Sequence, residues 1–133
     1  MTLLLDTHVW IWSQEYPEKL GRRTVKLLLA AEHVNSVCTI STLEIARLVS
    51  SGAIVLSIPL RDWLDRSLAD LAAETVPITH HVAMEAYALP EGFHRDPADR
   101  LLVAAARCHG STIVTADDRI LSYRDVRSLD ARA

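Results

Sequence analysis

Two aspartates, Asp96 and Asp99, lie just before a strongly apolar run, in the stretch His-Arg-Asp-Pro-Ala-Asp-Arg-Leu-Leu of residues 94–102. The pattern is typical of a helix start, with Asp96 as the N-cap and Pro97 in the first helical position. Asp96 can also pair with Arg100 one turn further on. Asp99 is harder to explain, because its i+3, i+4 and i+7 neighbours are all apolar. They are Leu102, Val103 and Ala106. A carboxylate on a buried stripe is costly unless it is hydrogen-bonded, paired or bound to a cation.

Three more acids fall at comparable places. Asp6 ends the first predicted strand, Glu44 lies in the first turn of the helix after the second strand, and Asp117 follows a later strand. Each can be explained singly as a helix cap, and Ser41 with Glu44 has the Ser-x-x-Glu spacing of a capping box. Parallel strands of an α/β sheet end at the same edge, where such sheets bind ligands. We therefore also expect several of these side chains to project towards one place.

Carboxylates crowded at one edge repel one another unless a cation neutralises them. Their hard oxygen atoms favour Mg²⁺ or Mn²⁺ over zinc, and the histidines show no spacing typical of a zinc site. Magnesium held by a few carboxylates keeps several waters and prefers phosphate oxygens as its further partners. A metal-activated water can attack a phosphodiester. The acids therefore indicate metal-dependent hydrolysis of a phosphodiester as one use of this edge.

Short apolar strands alternate with helical patterns along the chain. Strands are predicted at residues 2–6, 35–39, 75–78 and 112–115, with a further edge strand at 126–129. Helices are predicted through residues 8–12 and at 21–32, 41–51, 59–73, 79–89, 96–110 and 117–123. This alternation predicts an α/β domain with a mainly parallel sheet.

The composition is ordinary for a globular protein. With 133 residues, half of them hydrophobic, we expect residues 1–133 to form one domain with a full core. No segment approaches the roughly 18 uncharged apolar residues that span a bilayer. A net charge of -3 and a pI ≈ 6.0 give no general nucleic-acid signature. Cys38 and Cys108 have no CxxC spacing, and we expect them to be reduced thiols of a cytoplasmic protein.

Four segments, in order along the chain, resemble the PIN-domain ribonucleases, and among them the VapC-type toxins of bacterial toxin–antitoxin pairs. The segments are Leu5–Trp12, Ser41–Ala46, His94–Ala104 and Thr115–Asp117, and the similarity covers essentially the whole chain. The resemblance implies a three-layer α/β/α sandwich around a parallel sheet. It also implies an enzyme that uses one or two Mg²⁺ or Mn²⁺ ions to cleave single-stranded RNA.

The resemblance assigns roles to individual acids. Asp6 and Asp99 would be direct metal ligands, Asp117 would complete the metal site, and Glu44 would bind a second metal or position the water. Thr115 resembles the small hydroxyl residue that the family has near the metal. The second-tier candidates are Asp96 and Asp118.

Partners are implied in the same way. VapC-type proteins usually form homodimers and are held inactive by a small antitoxin protein that covers the site. The N-terminal helices carry Trp10, Trp12 and Leu28, which could supply part of such a surface, although core packing is the favoured explanation for the two tryptophans.

Two other enzyme classes fit the sequence less well. A haloacid-dehalogenase-like phosphatase needs a second aspartate two residues after the first, and here that position is His8. A receiver-type phosphoacceptor domain needs paired acids near the first strand, which residues 1–5 lack. A non-catalytic PIN-like module that binds RNA or protein remains open, and it would differ from the enzyme in needing no acid-dependent metal uptake.

Overall fold

A five-stranded parallel sheet forms the centre of the computed structural model, which describes residues 1–133. The strands are β1 (Thr2–Leu5), β2 (Val34–Cys38), β3 (Glu74–Val76), β4 (Thr112–Thr115) and β5 (Ser128–Asp130). They lie in the order β3-β2-β1-β4-β5, and every neighbouring pair is parallel. The predicted α/β fold with a parallel sheet is therefore confirmed.

Helices cover both faces of the sheet. They are α1 (Thr7–Glu15), α2 (Arg22–Leu29), α3 (Thr39–Ser50), α4 (Leu60–Asp70), α5 (His80–Glu85), α6 (Pro97–His109) and α7 (Asp118–Leu121), with a short 3-10 helix at Pro17–Lys19. Side chains of a strand alternate between the two faces. Leu3 and Leu5 accordingly pack with α1, α2 and α4, whereas Leu4 packs with α5 and α6. The result is the three-layer α/β/α sandwich that the resemblance implies. None of the helices combines the length and apolar character needed to cross a membrane.

The order of the strands reverses next to β1. The chain builds β2 and β3 on one side of β1 and then crosses over to build β4 and β5 on the other. Leu5 lies opposite Val114, so β1 and β4 end side by side, and the Asp6 amide donates to the Val114 carbonyl at 3.0 Å. Open α/β sheets bind ligands in the crevice at such a switch point. Asp6, directly after β1, and Thr115, at the end of β4, therefore lie at this crevice.

Two of the three apolar residues suggested for a partner surface belong to the core. Trp10 is 1% exposed, lies 5.5 Å from the Trp63 ring and donates through Nε1 to Ser67. Leu28 is also buried. Core packing, the favoured interpretation of the tryptophans, is therefore confirmed for Trp10, and the partner-surface interpretation is wrong for Leu28. Both side chains fill the space between α1, α2 and α4. Trp12 alone remains half-buried.

The observed helices differ from the predicted ones mainly at their ends. Helix α3 begins at Thr39, directly after β2, with Cys38 at its N-cap. Ser41 and Glu44 therefore lie inside the helix, and the predicted capping box is wrong. Helix α2 ends at Leu29, three residues before the predicted end at residue 32, and Leu29 is exposed. Both cysteines are free thiols.

Helix α6 begins and ends as its residues predict. Asp96 accepts a hydrogen bond from the Asp99 amide, Pro97 opens the helix, and Gly110 closes it in the left-handed conformation with φ 62. The predicted ion pair between Asp96 and Arg100 is wrong. Arg100 turns to backbone carbonyls instead, and its Nε donates to the Ala86 carbonyl at 2.8 Å.

Asn35 ties two helices to the sheet, and its removal is expected to destabilise the fold. This buried side chain of β2 donates to the Leu28 and Leu71 carbonyls at 2.9 and 3.0 Å. Asn35→Ala leaves both carbonyls without a partner, so we expect a loss of about 1–3 kcal/mol in the free energy of unfolding. Urea denaturation measures it, with Ser51→Ala as an exposed control. Equal stability of the two variants would contradict the prediction.

Candidate active site

A cavity of about 380 Å³ lies at the carboxyl ends of β1 and β4. All four acids predicted for the site line it. The full lining is Asp6, His8, Trp12, Glu44, Asp96, Asp99, Ala116, Asp117 and Arg119. These residues come from four separate stretches of the chain, and the parallel sheet with its crossovers brings them together.

Asp6 is held in place by two hydrogen bonds. It is the N-cap of α1, where its Oδ1 accepts from the Thr7 amide at 2.7 Å. Its Oδ2 accepts from the Thr115 hydroxyl at 2.6 Å. Burial raises the pKa of the Asp6 carboxyl, although these hydrogen bonds oppose the shift. The cap that the sequence predicts at Asp6 is therefore confirmed, and the same carboxylate also faces the cavity.

Thr115 links two of the acids. The residue is fully buried at the end of β4, and while its hydroxyl donates to Asp6 it accepts from the Asp117 amide at 3.0 Å. This bond sets the turn that brings Asp117 to the N-cap of α7. Thr115 thus lies beneath the cavity as a positioning residue.

Glu44 reaches the cavity from the second turn of α3. Its Oε1 accepts from the Thr7 hydroxyl at 2.6 Å, and that hydroxyl also lies 2.9 Å from the hydroxyl of the buried Ser41. The Ser-x-x-Glu spacing thus serves a tertiary contact with the start of α1 rather than a helix cap. Both Thr7 and Asp6 belong to the same turn after β1, which places Glu44 near Asp6.

Asp99 has the most perturbed environment of the four. Its side chain is 17% exposed, and the next residues on its helix face, Leu102 and Val103, are buried. Burial, and after it the charges of Asp6 and neighbouring aspartates, raise the pKa of the Asp99 carboxyl to about 7. A carboxyl group that resists ionisation among other carboxylates has a strong need for a cation.

Two basic side chains lie beside Asp99. The Nε2 atom of His94 is buried 3.1 Å from Asp99 Oδ2 but makes no hydrogen bond of good geometry. Arg119 Nη2 lies 3.7 Å from the same oxygen and 3.1 Å from Asp117 Oδ2. Burial raises the pKa of Asp117, but its hydrogen bonds and ion pair with Arg119 outweigh burial, so that the pKa is lowered.

Of the two second-tier candidates, only Asp96 lies at the cavity. Asp96 lines the cavity rim while it caps α6. Asp118 does not reach the cavity, because its side chain is 85% exposed and pairs with Arg132 at 2.9 Å. The structure brings together the four principal acids, Asp96 and Thr115, and leaves Asp118 outside.

The carboxylate oxygens of the four acids are the kind of ligand that a hard divalent cation prefers, but they do not converge on one point. No three His, Cys, Asp or Glu side chains are arranged closely enough to hold a metal ion. Two of the acids already have partners, because Asp6 accepts a hydrogen bond from Thr115 and Asp117 pairs with Arg119. Four carboxylates around one cavity, with the pKa values of Asp6 and Asp99 raised chiefly by burial, nevertheless suit Mg²⁺ or Mn²⁺. An ion would displace Arg119 from Asp117.

Sequence reasoning missed five residues of this site: Thr7, His8, Ser41, His94 and Arg119. Thr7 and His8 follow Asp6 directly, so their place at the strand end was a usable signal. Arg119 stands two residues after Asp117, where a side chain can fold back on an N-cap. The sequence marks Ser41 only as part of a capping box with Glu44, because its contact with Thr7 joins segments that are far apart along the chain. His94 lies close to Asp99 in the sequence, but no regular spacing predicts their contact.

Known proteins share both the sequence and the fold. Residues 3–126 match the model of the PIN domain. The chain is 41% identical to Ribonuclease VapC22 of Mycobacterium tuberculosis over 95% of each protein. The fold is similar to a chain of the VapBC2 structure from Rickettsia felis bound to a promoter DNA fragment, with a TM-score of 0.75 at 17% identity over 97% of this chain and 98% of that one. A chain of FitAcB from Neisseria gonorrhoeae is similar with a TM-score of 0.64 at 26% identity, over 97% of both chains.

Proposed function

Because this chain belongs to the PIN-domain family, and within it to the VapC proteins, we propose that it is an endoribonuclease and the toxin of a toxin–antitoxin pair. The observation that carries the proposal is the meeting of Asp6, Glu44, Asp99 and Asp117 at one cavity. Capping alone requires no such meeting, because helix caps function equally well when they are far apart.

We propose further that the site uses Mg²⁺ or Mn²⁺, with Asp6 and Asp99 as direct ligands. Asp117 would complete the metal site, and Glu44 would hold a second ion or orient the attacking water. When bound, the metal would lower the pKa of a coordinated water and stabilise charge on the phosphate. The pKa of Asp99, which is raised first by burial and then by the neighbouring carboxylates, supports this assignment, since a bound cation would favour the ionised carboxyl.

The other polar residues would position the acids. Thr115 keeps one oxygen of Asp6 fixed, and Thr7 does the same for Glu44. The buried His94 Nε2, which makes no hydrogen bond, lies 3.1 Å from Asp99 Oδ2. Such fixed partners reduce the reorganisation that the site needs during reaction.

Arg119 is expected to compete with the metal, since its guanidinium lies against both Asp99 and Asp117. Arg119→Gln removes the competing cation and should tighten Mn²⁺ binding by roughly 5-fold, the equivalent of one surface ion pair. Calorimetric titration measures this. Arg132→Gln is the matched control, because Arg132 donates two hydrogen bonds to the Asp130 carboxylate outside the cavity, as Arg119 does to Asp117. Weaker Mn²⁺ binding by Arg119→Gln would contradict the competition.

Single-stranded RNA is the proposed substrate, as membership of the PIN-domain family suggests. Unpaired nucleotides also have bases that are free to enter a cavity without the cost of breaking a duplex. We also propose a small cognate antitoxin, a homodimeric assembly and a cytoplasmic location. These follow from membership of the VapC proteins. An antitoxin that covers the cavity could present a basic side chain to the acids, in the place that Arg119 takes here.

The proposal is tested with purified protein freed of antitoxin. It is incubated with labelled single-stranded and duplex RNA, with and without Mg²⁺ or Mn²⁺. We expect metal-dependent cleavage of the single strands only. RNA binding without cleavage, together with metal titrations that do not depend on the acids, would instead indicate a non-catalytic binding module.

A further inference from the structure

Helix α1 extends the candidate site with an aromatic surface. His8 and Trp12 stand one turn apart on α1 and line the same cavity as the acids. Their rings are 6.5 Å apart in an edge-to-face arrangement. Tyr16 follows at the C-cap of the helix and is exposed. Aromatic side chains therefore lead from the acids towards solvent.

Trp12 has no part in the hydrophobic core. Trp10 and Trp63 are buried and lie against each other. Trp12, in contrast, is half-buried and packs against neither of the two core clusters. A large indole that forms the wall of an acidic cavity, without supporting the core, requires another explanation.

Lys19 adds a positive charge beside this wall. Its Nζ lies 5.4 Å from the centre of the Trp12 ring and 5.0 Å from that of Tyr16. The lysine is exposed on the 3-10 helix after α1, and its flexible stem lets the ammonium reach solvent. In a chain with net charge -3, a polyanion that approaches four carboxylates needs such a local cation.

We propose that Trp12, with His8 and Lys19 beside it, is a nucleotide-binding subsite for the substrate strand. The base of a nucleotide near the cleaved bond stacks on the Trp12 indole, and the Lys19 ammonium moves from the aromatic rings to a neighbouring phosphate. The subsite rests on the proposed function, since it takes single-stranded RNA as the ligand. Stacking tolerates any base, because every base has a π-face, so this subsite contributes affinity more than base specificity.

The test measures RNA affinity without cleavage. Asp99→Asn protein binds a fluorescent single-stranded oligoribonucleotide, read by anisotropy, and is compared with the same protein carrying Trp12→Leu or Trp12→Phe. We expect Trp12→Leu to weaken binding by about 5- to 100-fold and Trp12→Phe by much less, because phenylalanine retains a stacking ring. A series of oligonucleotides with a single abasic position then identifies the stacked base. At one position the missing base should weaken binding to the Trp12 protein but not to Trp12→Leu.

A charge variant tests Lys19 separately. The log of the RNA affinity falls as the log of the salt concentration rises. Lys19→Gln should make this dependence less steep by about 0.7, the value for one phosphate contact with a single strand. Lys26→Gln is the control, because Lys26 contacts no aromatic ring and lies outside the cavity lining. An unchanged slope for Lys19→Gln overturns the role of the lysine.

The outcomes separate this subsite from the proposed function. If the intact protein cleaves RNA but no abasic position is coupled to Trp12, the subsite is wrong and the enzyme stands. If the effect of one abasic position depends on Trp12 but RNA is never cleaved, the subsite is supported and the protein is a non-catalytic RNA-binding module. If the Asp99→Asn protein binds no RNA, the subsite is overturned, and cleavage by the intact protein decides the function independently.

Discussion

Asp99→Asn should reduce the rate of RNA cleavage by about 10²- to 10³-fold, the usual cost of losing one group that stabilises charge at a reacting centre. Asparagine has the size and shape of the aspartate but lacks the negative charge that a divalent cation requires. The packing of α6 against Leu102 and Val103 should be unaffected. The measurement is the initial rate of cleavage of a labelled single-stranded RNA at saturating Mg²⁺.

Asp118→Asn is the matched control for this substitution. Asp118 is an aspartate of the first turn of α7, exposed and paired with Arg132, and it lies outside the cavity. We expect its cleavage rate to equal that of the unmodified protein. Equal losses in Asp99→Asn and Asp118→Asn would mean that the loss reflects general damage to the protein, and full activity of Asp99→Asn would remove Asp99 from the site.

The same Asp99→Asn substitution should stabilise the metal-free protein at pH 8. The folded-state pKa of Asp99 is raised from 3.8 to about 7. The proton that Asp99 retains in the native state therefore contributes stability below pH 4, and this contribution is lost as the pH rises through 7. Asparagine avoids that loss. At pH 8 we expect a gain of about 2–4 kcal/mol in the free energy of unfolding, measured by urea denaturation in EDTA, and a much smaller gain near pH 4.

Asp117→Asn provides a control of opposite sign. The pKa of Asp117 is lowered, because Arg119 outweighs the effect of burial. Its contribution is present above the unfolded pKa and lost as the pH falls through the folded value, so Asp117→Asn should destabilise the protein at pH 8 and have little effect in acid. Destabilisation by Asp99→Asn at pH 8 in EDTA would contradict the inference that burial and the neighbouring carboxylates disfavour the ionised Asp99 in the folded protein.

Much of the fold could be predicted because its signals are local. The apolar run of β4 is bounded by polar residues, and its predicted limits, residues 112–115, agree with the structure. An aspartate before a proline and a glycine after the last turn fix both ends of α6. The start of α3 was misplaced for an equally physical reason. Ser41 and Glu44 have the spacing of a cap, but they bond to Thr7 of another helix.

The candidate site was predictable only as a set of acids. Strand ends and first turns identify Asp6, Glu44, Asp99 and Asp117, because parallel topology brings such positions to one edge. Asp99 was further distinguished by the buried stripe that follows it. The groups that engage the acids were not predictable, since side-chain contacts such as that between Arg119 and Asp99 depend on tertiary packing. Arg100 shows the same limit, because backbone carbonyls replaced its expected partner Asp96.

Cleavage of one labelled single-stranded RNA, followed through removal and return of the metal, tests the acidic site most directly. The protein, freed of antitoxin, is assayed as purified, after EDTA and after restoration of Mg²⁺. Cleavage should stop with EDTA and return with Mg²⁺, and Asp99→Asn should not recover at the same Mg²⁺ concentration. Cleavage that persists in EDTA, or an Asp99→Asn protein that cleaves as fast as the original, would contradict a metal-dependent site built on these carboxylates.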